Sequence, residues 1–181
     1  MGYEVSLNKA WGAIKNQDKK LKVKFINDEY DIDLVERAVL SRSCNVEAKD
    51  YYKILILHYV ANSDNIEDIS KDKWISFKEL EGGKEYFQAF RKRAVEPILR
   101  KYGDDPRAIF ERIGYLNAEK LDMGSAAISI NVFPKIKVGL VLWEKDDEFA
   151  ADCNIVFNSG IKYILPTEDA AVLGGIVASV L

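Results

Sequence analysis

Between Ala126 and Phe157 three apolar segments follow one another with very little chain between them: Ala126 to Phe133, Ile136 to Trp143 and Asp152 to Phe157. A tight connection at Phe133-Pro134-Lys135 joins the first two. The bend Glu144-Lys145-Asp146-Asp147-Glu148-Phe149 joins the last two. Short strands joined this closely pair as antiparallel neighbours, so the segment predicts a three-stranded meander. Four carboxylates and one lysine fill five residues of the bend, directly after the tryptophan that ends an apolar strand. Negative charge is therefore concentrated at one rim of a sheet.

The rest of the chain supplies a hairpin and helices. Leu21, Val23 and Phe25 alternate with lysines, and Tyr30, Ile32 and Leu34 alternate with Asp31 and Asp33 across the polar turn Asn27-Asp28-Glu29. This is the pattern of a β-hairpin with one wet face, on which Asp28, Glu29, Asp31 and Asp33 are expected to face water. Val5, Leu7, Ala10, Trp11 and Ile14 recur at helical spacing. Ala48 to Asn62 is apolar on nearly all sides and reads as a central helix. Trp74 to Glu79 alternates as an edge strand before the breaker Gly82-Gly83. From Lys84, the residues Tyr86, Phe87, Phe90, Ala94, Ile98, Leu99 and Tyr102 form the stripe of the longest helix, with a kink or restart expected near Glu96 because Pro97 lacks a backbone donor. Asp104-Asp105-Pro106 suits the start of a further helix. A last helix starts at Thr167-Glu168-Asp169, with Thr167 as N-cap and two acids where the helix dipole favours them. Gly174, Gly175, Ala178 and Ser179 give it a low-profile face, and a homodimer is expected through that face or through a sheet edge. The expected fold is α+β: one domain over 1–181, with a mainly antiparallel sheet of hairpin plus meander, covered by about four helices.

Charge and cysteine content narrow the function classes. With 26 basic and 29 acidic side chains the net charge is -3, too small for general attraction to nucleic acid or an anionic membrane. The apolar run from Ala170 to Leu181 is about half the roughly 20 residues that a membrane span needs. Met1-Gly2-Tyr3-Glu4 shows no secretory pattern, so a cytoplasmic location is expected, and Cys44 and Cys153 are read as reduced core thiols.

Several of these motifs occur in the order of a known family. The series is Gly82-Gly83-Lys84-Glu85-Tyr86-Phe87-Gln88-Ala89-Phe90, Phe133-Pro134, Leu142-Trp143-Glu144, Asp146-Asp147-Glu148-Phe149, Phe157-Asn158-Ser159 and Tyr163-Ile164-Leu165-Pro166-Thr167-Glu168-Asp169. The chain resembles the prokaryotic domain-of-unknown-function 3786 family, which is found largely in anaerobic bacteria and archaea. The resemblance implies anaerobic metabolism and no particular activity. Some relatives carry an added cysteine-rich segment and are described for that reason as iron-sulfur proteins. A four-cysteine cluster needs four thiolates, and two cysteines do not supply them, so no cofactor is expected.

The candidate ligand-binding residues are Trp143, Glu144, Asp146, Asp147, Glu148, Phe149 and Glu168. Tryptophan and phenylalanine would offer flat apolar area, and the acids polar selectivity. The spacing of the bend does not match a calcium loop, and no metal site is assigned. His58, the only histidine, is expected to be a hydrogen-bonded structural residue. Neither cysteine has the setting of a nucleophile, although Arg42 near Cys44 makes that thiol the better of the two. The basic residues Arg91, Lys92, Arg93, Arg100, Lys101 and Arg107 read as a solvated helix face. The expectation is a non-catalytic protein that binds an unknown small molecule or protein. The alternative is a small enzyme using two of Asp146, Asp147, Glu148 and Glu168 as acid and base, which requires them to share a recess.

Overall fold

A computed structural model describes residues 3–15, 18–63 and 73–181. Met1 and Gly2, used above in reading the start of the chain, lie outside the described residues. The fold class is the expected α+β, but hairpin and meander occupy separate antiparallel sheets. In the first, β1 (Lys20–Phe25) pairs β2 (Asp28–Asp33), which pairs β3 (Ala38–Ser41). The second has five strands in the order β4-β8-β7-β6-β5. Its members are β4 (Trp74–Ser76), β5 (Ala118–Lys120), β6 (Ala126–Phe133), β7 (Ile136–Trp143) and β8 (Asp152–Asn158).

The meander has the expected bounds at nearly every end, and it carries short edge strands on both sides. One face of its sheet packs Ile128, Ile130, Val138, Leu140, Ile155 and Phe157 into the main core. The opposite face buries Ala127, Val141 and Val156 beneath Trp74, Leu121 and Met123. Gly139 is needed there, because a Cβ would stand 2.7 Å from Val156 Cγ2 and 3.3 Å from the Trp74 ring.

The hairpin loop is Ile26-Asn27, and Asp28 already belongs to β2, paired with Phe25. Ile26 has φ 53°, a region where β-branched residues are uncommon. Two tertiary contacts hold it: its side chain is buried, and its N–H donates to Val132 O of β6 at 2.8 Å. The same bond joins the two sheets. Phe25 completes the junction by stacking on Phe133 at 4.6 Å.

Helix α1 (Glu4–Ala13) packs on α2 (Asp50–Ser63), whose Ile54, Leu55, Ile56, Leu57 and Tyr59 are buried, as expected of a central helix. The predicted edge strand ends at Ser76 and passes into a 3-10 turn, Phe77–Glu79. The long helix from Lys84 is divided. Helix α3 (Gly83–Phe90) leads into a π-turn, Arg91–Val95, and α4 (Glu96–Tyr102) restarts at the expected place. Pro97 has no N–H to offer the Arg93 carbonyl four residues back, and the turn widens so that Glu96 N–H donates to Arg91 O. Asp105 caps a 3-10 segment, Pro106–Arg112, which continues into the short α5 (Ile113–Leu116). After β8 come α6 (Ile161–Ile164) and α7 (Thr167–Val180). Among the described residues no helix is long and apolar enough to cross a membrane.

Candidate functional site

The acidic bend is exposed from Glu144 to Phe149 and turns its polar groups on itself. Asp146 Oδ1 accepts from Glu148 N–H at 2.9 Å and Phe149 N–H at 2.7 Å, and Asp146 N–H donates to Phe149 O. Glu144 stands 3.5 Å from Arg107 Nε. Phe149 projects outward with 69% of its surface accessible. Trp143 walls a small groove of about 300 Å³ together with Phe87, Lys78, Arg91 and Asp152.

Glu168 lies elsewhere, on the wall of a cleft of about 950 Å³ that contains none of the bend residues. The carboxylates proposed as an acid-base pair are thus not gathered in that cleft. One wall is α7, where Glu168, Ala171, Val172 and Gly175 recur at helical spacing and share a face. The other is the 3-10 turn, α3 and the π-turn, through Leu80, Tyr86 and Arg93. Tyr163 and Pro166 close the end where α6 joins α7. The two walls run in the same direction: Thr167 Oγ1 donates to Glu81 O at 2.7 Å at one end, and Gly174 touches Phe90 and Ala94 further along. Thr167 is therefore the first residue of α7, with Pro166 before it, and its hydroxyl ties the wall to the opposite loop instead of capping the helix.

The small-residue face of α7 is divided by these contacts. A Cβ on Gly174 would come within 2.6 Å of Phe90 Cε2, so this glycine permits the close approach of α7 to α3. A Cβ on Gly175 would meet nothing within 4 Å, because that residue opens into the cleft. Tyr86 and Tyr163, each 60% exposed, stand at its rim. Glu81, Arg93 and Glu168 make no ion pair among the described residues, so charge of both signs is uncommitted around an apolar floor. Glu79 is the exception: the Ser76 N–H bonds its carboxylate at 2.7 Å and lowers its pKa.

His58 fits the structural expectation. Its Nδ1 lies 2.5 Å from Oδ2 of the buried Asp169, so the pair ties α2 to the first turn of α7. This hydrogen bond raises the His58 pKa, against the lowering effect of burial. Nothing in the spacing of residues 58 and 169 announced the pair, although an acid in the first turn of an apolar helix was a signal for Asp169.

The thiols are both free but not both in the core. Cys153 is buried, and burial pushes its pKa up to about 12. Cys44 is exposed, and Ser41, not Arg42, is the first cause of its lowered pKa. Arg42 instead pairs with Glu29 at 2.6 Å and with Asp31 at 3.5 Å. The basic stretch is not a single surface either: Arg91 pairs with Asp152 at 3.2 Å, Arg93 lines the cleft, and Lys101 bonds Leu181 O. No cluster of potential metal ligands occurs among the described residues.

An antiparallel α+β protein with an uncommitted cleft between two parallel-running helices is the class that fold and site define. By sequence, residues 6–180 match the model of a family described as a domain of unknown function, DUF3786, and the chain belongs to that family. No curated protein and no solved structure matches it.

Proposed function

We propose that this protein is a non-catalytic, cytoplasmic binding protein of anaerobic prokaryotic metabolism, and that it takes a small organic ligand in the cleft between α3 and α7. The observation that carries the reading is Gly175. A glycine inside a helix costs roughly 0.5–1 kcal/mol relative to alanine, and at this position no neighbour forbids a side chain. What its absent side chain preserves is the floor of the cleft.

The volume of about 950 Å³ falls within the range of small-molecule sites. An apolar floor, two rim tyrosines and charges of both signs that have no ion pair among the described residues suit an organic molecule with polar ends. Glu168, a candidate ligand-binding residue from the sequence, lies on the cleft wall and is assigned to the ligand in this reading. The bend from Glu144 to Phe149 has little left to offer a ligand beyond Asp147, Glu148 and Phe149, because Asp146 and Glu144 already have partners. The test is native mass spectrometry of the full chain after incubation with a small-molecule extract of anaerobically grown cells. A discrete adduct of stoichiometric mass is expected. A spectrum of the bare chain alone would contradict the reading.

A further inference from the structure

A second cavity, independent of the cleft, lies where the hairpin meets α2 and the end of α5. It measures about 380 Å³, and its lining includes four aromatic residues, Phe25, Tyr30, Tyr52 and Tyr115, with a single ionisable carboxylate, Asp28. Among the described residues no lysine, arginine or histidine lines it. Phe25 and Tyr52 meet at 82° with centroids 5.3 Å apart, and Phe25 and Tyr30 at 54° and 6.3 Å, so adjacent walls are angled as in a cup. Phe133, stacked behind Phe25, fixes the back of the cup.

Asp28 was expected to face water with the other hairpin acids. Strand alternation puts it instead on the side of Tyr30 and Ile32, two residues apart along β2, both of which are buried. Four donors hold its carboxylate: Glu29 N–H at 2.8 Å and Ser43 N–H at 3.1 Å on Oδ1, with Ser43 Oγ at 2.8 Å and Ser41 Oγ on Oδ2. Burial opposes ionisation here, but these bonds outweigh it and lower the pKa. The result is a fixed negative charge with its acceptor capacity already used. Tyr30 is 7% exposed and lines the cavity.

A primary ammonium would need acceptors for its N–H groups, which this carboxylate no longer offers. A fully alkylated ammonium needs only aromatic faces and a nearby negative field. We propose that this cavity binds a quaternary ammonium group, with Tyr30, Tyr52 and Tyr115 as walls and Asp28 as counter-charge. Arg112, whose guanidinium lies over the Tyr115 ring at 4.9 Å, is the opposing charge that limits affinity at that wall.

Isothermal titration calorimetry of the full chain tests this with tetramethylammonium, with choline, and with the neutral isostere of choline in which carbon replaces nitrogen. Choline is expected to bind at least about tenfold more tightly than the isostere, the scale of a desolvated cation-aromatic contact. Tyr52→Leu and Tyr115→Leu should each weaken it, and Tyr52→Phe should retain it. Tyr115 is 64% exposed, so its variant leaves the core intact. Asp28→Asn should abolish the preference for charge. Equal affinity for the isostere, no heat from either cation, or unchanged affinity in both leucine variants would overturn the proposal. None of these results bears on the cleft between α3 and α7.

Discussion

The acidic bend and the cleft beside α7 are built from similar residues, aromatics and carboxylates near an element end, yet they differ in where the polar groups are directed. In the bend, Asp146 folds the loop back on its own amides, Glu144 takes a surface arginine, and Phe149 faces out. In the cleft, Glu81, Glu168 and Arg93 have no ion-pair partner among the described residues, across a gap kept open by Gly175. Density of charge in the sequence is thus a poor guide to a site. Uncommitted charge against a concave apolar floor is a better one, and it becomes visible only once the chain is folded.

The largest contrast should come from the two adjacent glycines of α7. Gly174→Ala is expected to destabilise by about 1–3 kcal/mol through overpacking against Phe90. Gly175→Ala should stabilise by roughly 0.5–1 kcal/mol, because helix propensity is gained and nothing is struck. Urea denaturation reads both, and a Gly174 variant as stable as the parent would remove the basis for the close approach of α7 to α3. Next comes the anchor of the same helix. Asp169→Ala should cost about 2 kcal/mol, the scale of a hydrogen bond to a charged group.

The anchor also has a pH signature. The folded His58 has a pKa above its ordinary value of 6.5, so its contribution is present in full below that value. It is lost as pH rises through the higher folded value. Melting temperature should therefore decline across that range, and His58→Gln should flatten the decline. Smaller again is the bend: Asp146→Ala should cost about 1 kcal/mol for its two backbone bonds. Neutralising Asp147 and Glu148 together should change stability by no more than about 0.5 kcal/mol. A loss beyond 2 kcal/mol from that double variant would mean that the bend is less independent of the body than its exposure indicates.

Much of the architecture was legible because it rests on local periodicity. The meander, α2, the apolar end helix and the restart at Glu96 all follow from alternation, helical spacing or a proline. Elements of three or four residues, such as β3, β5 and α6, carry too little pattern to register, and they form because neighbours offer them partners. Ile26 shows a tertiary override: a residue poorly suited to φ 53° occupies it because burial and the bond to Val132 outweigh a local cost of about 1–3 kcal/mol. The division of hairpin and meander into two sheets was hidden for the same reason, since alternation specifies a face and not a neighbour. Of the expected site residues, Glu168 alone lines the main cleft. Tyr86 and Arg93 share the stretch of α3 and the π-turn, but Tyr163 and Gly175 come from α6 and α7, and no spacing relates them to it.

The most direct measurement compares two variants in one native mass spectrum experiment: Gly175→Leu, which fills the cleft, and Asp147→Asn with Glu148→Gln, which neutralises the bend. The small-molecule adduct of the parent chain is expected to disappear from the leucine variant and to persist undiminished in the bend variant. An adduct that survives Gly175→Leu and vanishes with the bend charges would contradict this expectation.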